Sequence, residues 1–296
     1  MRVATHDGSF HADDVFAVAV LRRLHPDLEI VRSRDPEVLA AADLRVDVGR
    51  ASDPATCDFD HHQKGGAGVR ENGIPYASFG LVWRELGTRL TQGDERAARE
   101  VEERLVQGVD AIDTGFNLST PKIDGVRPMD VSDVIDAFNP GWDDDATPAD
   151  RLARFEHAVA LAEGIIDRQI AGALGRKRAH GLVREAIANR CDPRVVELDR
   201  NMPWHEPVVT EAPEALFVLV PKSDGSWGVQ AIPQRLGTFD NRRDLPEAWA
   251  GLNAAELSAL TGVEDAVFCH SARFIAVAKT REGAARLVEL ALQDEG

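Results

Sequence analysis

Short apolar runs alternate with helical stretches in the first part of the chain, and this alternation limits the possible folds most strongly. The runs "RVATH", "EIVRS" and "LRVDVG" have the length and composition of strands. Between them, "DDVFAVAVLRRLHP" and "PEVLAAA" predict helices, the first of which ends at Pro26. A further strand is predicted at "TCDFDHH". This β-α-β-α-β order predicts a parallel sheet covered by helices, in which ligands bind at the carboxyl ends of the strands.

The rest of the chain changes character twice. From Tyr76 the pattern is mainly helical, and apolar residues spaced by three or four from Leu152 to Leu174 predict a long helix that reaches about Ala188. After it, "ALFVLVPK" and "WGVQAIP", joined by "SDGS", predict a β-hairpin in a small mixed domain. We therefore expect an α/β protein with an N-terminal parallel-sheet domain (1–145), a helical connector (146–190) and a smaller C-terminal mixed α/β domain (191–296).

Residues of the types that bind metals stand where the predicted strands end or the helices begin. Each segment alone has an ordinary explanation, because an aspartate at such a place is often a helix cap. Asp47 is different, since it interrupts an apolar strand and a buried carboxylate is unfavourable unless it is paired or bound to a metal. The four segments are "THDGSFHADD", "RVDVG", "DFDHH" and "VDAID", and their candidate ligands are His6, His11, Asp13, Asp47, His61, Asp113 and Asp110.

The residue types in these segments indicate a particular kind of metal centre. A mixture of imidazole and carboxylate ligands suits Mn²⁺ or another divalent transition metal better than a dedicated Ca²⁺ site, with Mg²⁺ as an alternative. There are enough ligands for two ions that share one carboxylate. Two ions about 3.5–4 Å apart stabilise the attacking and the leaving oxygen of a displacement at phosphorus. These residues could therefore hold two divalent metal ions of the kind that support displacement at phosphorus.

Composition limits the partners. The formal net charge of −16 argues against non-specific binding to nucleic acid or to an anionic membrane. No apolar run approaches the roughly 20 residues that span a bilayer. The three cysteines lack metal or redox spacing and the N-terminus lacks a secretory pattern, so we expect a cytoplasmic protein. The oligomeric state stays open, and a homo-oligomer is one possibility.

The C-terminal domain contains the candidates for substrate binding. Arginine suits bidentate binding of phosphate, and a histidine that ends an apolar strand is well placed to face a ligand. The alternative for the arginines is that they are solvated surface charges. The candidates are Gln230, Arg242, Arg243, His270 and Arg273.

The ordered set of motifs resembles a known group of enzymes. His-x-x-x-x-His-x-Asp, then Val-Asp-Val-Gly, Asp-His-His and Asp-Ala-Ile-Asp is similar to the DHH phosphoesterase superfamily. Within it, "THDGSFHADD" and "DHHQ" resemble the MYG (melanocyte-proliferating-gene exonuclease) family, and the C-terminal "WGVQAIP" and "FCHSARFIA" also resemble that family. The resemblance covers nearly the whole chain.

The resemblance implies roles for individual residues. One metal would be held by His6, His11 and Asp47, although superfamily members usually have an aspartate where His11 stands. Asp60 would orient His61, and His62 would face the substrate phosphate. The second metal would be held by Asp13, Asp47, His61 and a fourth-motif aspartate, which is Asp113 or, as the alternative, Asp110.

The resemblance implies a 3′-to-5′ exonuclease acting on RNA or on short oligonucleotides. Because superfamily relatives also cleave DNA, dinucleotides and pyrophosphate, a phosphoesterase with a small substrate is the first alternative. The acidic net charge favours a short substrate held by metals over a long polymer on a basic groove. A second alternative, from another class, is a non-catalytic module that binds metal or phosphate.

Overall fold

A computed structural model describes residues 1–294. The chain divides into two compact units, Met1–Leu174 and the part from Gly175 onward, and each has its own five-stranded sheet. The mixed α/β class is thus confirmed. The division between the units falls within the long helix, and the predicted boundaries at 145 and 190 stay predictions.

The sheet of the first unit is mostly parallel. Its strand order is β2-β1-β3-β5-β4, and only β4 runs antiparallel to its neighbour. Because β1, β3 and β5 are neighbours with the same direction, their carboxyl ends lie at one edge of the sheet. The strands are β1 (Arg2–Thr5), β2 (Glu29–Arg32), β3 (Leu44–Val46), β4 (Ser52–Asp53) and β5 (Asp58–Phe59).

Helix α1 forms the centre of the first core. Its residues from Ala12 to Leu21 are all buried, as expected for a helix that is apolar on most faces. The ring of Phe16 stacks on that of Phe79 of helix α3, with 5.1 Å between the centroids. The helices of this unit are α1 (Ala12–Leu24), α2 (Pro36–Ala40), α3 (Ser78–Leu90), α4 (Glu95–Val101), α5 (Gln107–Asp113) and α6 (Val131–Asp136), with a π-helical turn at Glu102–Val106.

The predicted long helix is confirmed as α7 (Pro148–Asn189). In the first unit its apolar positions, among them Phe155, Val159 and Ile166, are fully buried in the core around α1. Arg22 of α1 forms a bidentate ion pair with Glu163 of α7 at 2.7 and 3.0 Å, which fixes the register of the two helices.

The second unit has a sheet of order β6-β7-β8-β10-β9, in which only β6 and β7 are parallel. The predicted hairpin is confirmed, with Gly225 at φ +86° in its turn. The sequence patterns missed β6 and α8, which are short. The elements are β6 (Val195–Glu197), α8 (His205–Glu211), β7 (Phe217–Pro221), β8 (Trp227–Ala231), α9 (Ala254–Thr261), β9 (Ala266–Cys269), β10 (Ile275–Ala278) and α10 (Arg281–Gln293). Within residues 1–294, no helix combines the length and apolarity needed to cross a bilayer.

Candidate metal centre

The topology of the first sheet brings the predicted ligands together. Strand β1 ends just before His6, β3 ends just before Asp47, and β5 ends two residues before His61. Asp13 lies in the first turn of α1, and Asp113 is the last residue of α5. Five side chains that are distant in the sequence therefore meet at the carboxyl edge of the parallel strands, where ligands bind in sheets of this kind.

Asp47 is the central residue of this cluster. Its Oδ2 lies 3.3 Å from His6 Nε2, and its Oδ1 lies 3.3 Å from His61 Nε2. Asp113 approaches from the other side, with Oδ2 at 3.1 Å from His61 Nε2 and Oδ1 at 3.8 Å from His11 Nδ1. Asp47 and Asp113 thus each contact two imidazoles through different oxygens.

The backbone at Asp47 explains how one residue can reach both sides. Asp47 has φ +55°, and Gly49 follows with φ +97°. A left-handed backbone is costly for most L-residues but is tolerated by aspartate. It turns the chain sharply where β3 ends, so the carboxylate is held at the sheet edge while only 4% of the residue is exposed.

The carboxylates and imidazoles of the cluster are buried close together, and their pKa values are shifted as a result. Burial, with the nearby charges of Asp47 and Asp113, raises the pKa of Asp13 well above its usual value. Burial lowers the pKa of His61, but its contacts with Asp113 and Asp47 outweigh that effect and raise the pKa to about 10. Burial also opposes ionisation of Asp47, but contacts with three histidines hold its pKa below the usual range. Such perturbed groups concentrate at functional sites.

The nitrogen and oxygen atoms of the cluster could hold a metal ion. Asp13 Oδ1 is buried and has no hydrogen-bond partner within residues 1–294, and the buried His61 Nε2, although 3.1 Å from Asp113 Oδ2, forms no hydrogen bond of suitable geometry. Buried polar atoms are normally satisfied, so two such orphans in one cluster indicate a ligand that supplies the missing contact. Three groups have ligand atoms within 4.8 Å of one another and could bind a metal, namely His6, His11 and Asp47; Asp47, His61 and His62; and His11, Asp13 and Asp113.

Ser78 supports the cluster, and the sequence patterns did not predict this role. It is fully buried at the first turn of α3. Its hydroxyl donates to Asp47 Oδ1 at 3.0 Å, and its backbone N–H donates to Asp13 Oδ2 at 3.2 Å. A serine just before the apolar run "FGLVW" was the available signal, because serine is favoured at helix starts and helix N-termini attract carboxylates.

Asp14 is a second supporting residue. It is fully buried, its Oδ1 accepts from the backbone N–H of His11 at 3.0 Å, and its Oδ2 lies 3.3 Å from His6 Nε2. Burial raises its pKa to about 7. Asp14 therefore orients the loop between β1 and α1 that carries both histidines.

Asp60 contacts a different histidine from the one expected. Its Oδ1 accepts from the backbone N–H of His62 and lies 2.9 Å from His62 Nδ1. The expected contact between Asp60 and His61 is therefore corrected to Asp60 and His62, because the turn after β5 brings the backbone N–H and the Nδ1 of His62 to the Asp60 carboxylate. Contacts with Asp47 and Asp60 raise the pKa of His62 to about 9, and about half of its side chain (54%) is exposed.

Asp110 lies beneath the cluster rather than in it. It is fully buried, its Oδ2 accepts from Arg70 Nη2 at 2.6 Å, and its Oδ1 accepts from the Gly80 N–H at 3.0 Å. A Cβ atom at Gly80 would overlap the side chains of Asp110 and Arg70, so only glycine lets α3 and α5 pack this closely. Both oxygens of Asp110 are thus occupied, whereas those of Asp113 face the histidines.

Two of the five substrate-binding candidates in the second unit donate from their guanidinium groups to backbone carbonyls. The Arg242 guanidinium donates to the carbonyls of Val209, Ala212 and Ala215 at 2.6–2.9 Å and so closes the end of α8. Arg243 donates to the carbonyl of Asp294. These contacts offer a structural reason for both arginines, and their binding of substrate stays a prediction.

The other three candidates lie on β8 and on the turn between β9 and β10. Gln230 pairs with Val218 and Ile275 in the sheet. The ring of His270 accepts from the Ala272 N–H at 3.0 Å, and Arg273 forms an ion pair with Asp244 at 3.1 Å. The structure brings His270 and Arg273 into one turn, where the Arg273 N–H donates to the His270 carbonyl at 2.8 Å. Their binding of substrate also stays a prediction.

The fold and the cluster define a mixed α/β protein with a candidate divalent-metal centre at the edge of a parallel sheet. The family model MYG1_exonuc, described as an uncharacterised protein family (UPF0160), matches residues 2–292, and the chain belongs to this family. It is similar to MYG1 exonuclease of Homo sapiens, with 32% identity over 98% of this chain and 85% of the human protein. It is also similar to the MYG1 protein of Dictyostelium discoideum, with 30% identity over 96% of this chain and 94% of that protein.

Proposed function

We propose that this chain is a divalent-metal-dependent phosphodiester hydrolase of the DHH phosphoesterase superfamily, acting as a 3′-to-5′ exonuclease on short single-stranded nucleic acid, with RNA preferred. The observation that carries the proposal is the convergence of imidazoles and carboxylates with two orphaned donor atoms, Asp13 Oδ1 and His61 Nε2. The names of the mammalian relatives, MYG1 exonuclease, support the choice of a nuclease.

The residues divide naturally between two ions, with Mn²⁺ as the first choice because of the imidazole content. When bound, such ions lower the pKa of a water and neutralise charge on the oxygens at phosphorus. Asp47 suits the shared position, because each of its oxygens faces a different histidine. One ion would be held by His6, His11 and Asp47, and the other by Asp13, Asp47, His61 and Asp113.

His62 is proposed as the residue that contacts the substrate. Asp60 is 1% exposed, and its carboxylate accepts hydrogen bonds from the backbone N–H and from the ring Nδ1 of His62. This contact fixes the ring and leaves Nε2 to bind the phosphate or to give a proton to the leaving oxygen. The half-exposed side chain and its raised pKa, about 9, are consistent with a proton donor.

The glycine-rich segment after His62 is proposed to let the substrate backbone approach. Gly65 has φ +93° and Gly66 has φ +70°, and a Cβ at either position would meet no atom within 4 Å. The Gly66 N–H donates to the Gln63 carbonyl at 2.9 Å and closes the turn, so the Gly65 N–H is the group proposed to bind a phosphate.

A small phosphodiester, such as a dinucleotide, is the second candidate substrate. The net charge of −16 does not favour a long polyanion. The cavity beside Asp47 and His62 has about 340 Å³, near the lower end of the range of roughly 300–1,000 Å³ for small-ligand pockets. A cytoplasmic location and a homo-oligomeric state stay predictions.

The test uses metal-stripped protein that is resupplied with Mn²⁺ and incubated with end-labelled RNA and DNA oligonucleotides. We expect stepwise loss of terminal nucleotides from the 3′ end, faster with RNA, and no cleavage by His61→Ala. His157→Ala, which changes an exposed histidine of α7, is the matched control and should keep full activity. Metal content, measured on the same samples, should fall only in His61→Ala.

The remaining outcomes separate the alternatives. Cleavage of dinucleotides but not of longer strands would establish the small-substrate phosphoesterase. Stoichiometric metal binding without cleavage of oligonucleotides, dinucleotides or pyrophosphate would refute the hydrolase and favour the non-catalytic module.

A further inference from the structure

A cavity of about 340 Å³ opens beside the candidate metal centre, and its lining combines the centre with two arginines. Asp47 and His62 belong to the cluster of ligands, and Arg34 and Arg50 line the same cavity. All four residues lie in the first unit. A ligand bound at the metals therefore has immediate access to two cationic side chains.

Arg50 has an unusual conformation for an arginine. Its φ is +56°, a left-handed conformation that is unfavourable for most L-residues but not for glycine. The carboxylate of Asp60 holds it there by accepting from the Arg50 backbone N–H at 2.6 Å. The same Asp60 fixes His62, so one buried carboxylate orients Arg50 and the proposed substrate contact together.

The guanidinium of Arg50 has no ion pair or hydrogen bond with any residue in the part of the chain that the structure describes, and the residue is exposed. Arg34, by contrast, is anchored to Asp7 by contacts of 2.6 and 2.7 Å. An unpaired arginine beside a set of carboxylates that it does not neutralise is available for an anionic ligand.

A second cavity on the same centre has the opposite character. It is lined by His11 and Asp113 of the cluster and, beyond them, by Arg127, Asp133 and Asp136. The one arginine here is already paired with Asp133. The two cavities therefore differ in charge. Only the cavity lined by Arg50 offers an arginine that is not already paired with a carboxylate.

We propose that Arg50, assisted by Arg34, binds a second phosphate of the substrate, next to the phosphodiester that is cleaved. This inference rests on the proposed function and deepens it, because it makes the enzyme selective for phosphodiesters that carry a neighbouring phosphate. A dinucleotide with a terminal phosphate, or the end of a longer strand, meets this requirement, and a dinucleoside monophosphate does not.

The test compares binding of three dinucleotide analogues in which a methylene group replaces the leaving oxygen of the internal linkage, so that the linkage cannot be cleaved. One analogue carries a 5′-terminal phosphate, one carries a 3′-terminal phosphate, and the third carries neither. With the Mn²⁺-loaded protein, calorimetry should give at least about 10-fold tighter binding for one of the phosphorylated analogues, as expected for charge-assisted hydrogen bonds.

Variants of Arg50 decide whether the preference arises there. Arg50→Gly removes the side chain and suits the left-handed backbone, so it should fold normally and reduce the preference to within about twofold. Arg50→Lys should retain part of the preference, and Arg127→Ala, in the opposite cavity, should retain all of it. Equal preference in Arg50→Gly and the unaltered protein, or no preference in the unaltered protein, would overturn the inference.

The same samples separate this inference from the proposed function. If the preference is present and depends on Arg50, but the cleavable dinucleotides stay intact, the phosphate site stands and the hydrolase does not. If cleavage occurs with equal efficiency with and without the terminal phosphate, the hydrolase stands and the phosphate site is refuted.

Discussion

The two aspartates of α5 offer a direct test of which residue belongs to the metal centre and which to the core. Asp110→Asn removes the charge from a fully buried side chain that accepts from Arg70 and from the Gly80 N–H. An asparagine of the same shape has one oxygen and one NH₂ group. In either orientation it therefore leaves Arg70 or Gly80 facing a donor.

The structure sets the size of the expected effect. Breaking a buried ion pair by removing one partner costs about 3–5 kcal/mol. Arg70 keeps Glu102 Oε1 at 2.6 Å and the Pro75 carbonyl at 3.0 Å, so the lower end of that range applies. About 3 kcal/mol corresponds to a fall in Tm of about 6–12 °C for a unit of this size. Because Asp110 is not a ligand in this proposal, Mn²⁺ affinity of the folded protein should change by less than about threefold.

Asp113→Asn is the matched variant and should behave in the opposite way. It removes a carboxylate whose charge raises the pKa of Asp13, so the Tm in the presence of chelator should stay the same or rise. Mn²⁺ affinity should fall by at least about 10-fold, because loss even of a residue that only supports a ligand lowers metal affinity by about 10–100-fold. Thermal unfolding with chelator and calorimetric titration with Mn²⁺ give both values. An unchanged Tm for Asp110→Asn, or full Mn²⁺ affinity for Asp113→Asn, would refute the assignment.

Three further predictions concern the metal, the second unit and the cysteines. Mn²⁺ at about 100 times its Kd should stabilise the chelator-treated protein by about 2.7 kcal/mol in thermal unfolding, and no shift would contradict a metal centre. Arg242→Met should destabilise the protein by about 2 kcal/mol in urea unfolding through three lost hydrogen bonds, whereas Arg243→Met should change it by less than about 0.5 kcal/mol. Burial raises the pKa of Cys269 to about 11, so at pH 8 it should react with iodoacetamide far more slowly than the exposed Cys191, and faster as the pH approaches 11, as mass spectrometry would show.

Much of the site was accessible from the sequence because the local pattern and the topology are linked. Apolar runs that end in histidine or aspartate predict strand ends, and parallel neighbours place those ends at one edge. His6, Asp47 and His61 could be brought together on that basis alone. The contact of Asp60 with His62 rather than with His61 could not, because it depends on how the chain turns after β5.

Supporting residues were harder to foresee for a physical reason. Ser78, Arg70 and Arg242 act through partners that are distant in the sequence, and a single serine or arginine carries no local pattern. Whether an arginine binds a ligand or closes a helix depends on which carbonyls or carboxylates the fold brings within reach.

By itself, the sequence determined the α/β class, the long helix and the ligand types, because periodicity and residue chemistry are local properties that any fold must accommodate. The tertiary structure alone decided the roles of equivalent residue types. It buried Asp110 against Arg70 while directing Asp113 to the histidines, and it gave Asp47 a left-handed backbone at the end of β3. It also left Arg50 unpaired beside the centre. These distinctions arise from distances and burial in three dimensions, because these decide how favourable it is for each side chain to be charged. The spacing of residues along the chain does not reveal them.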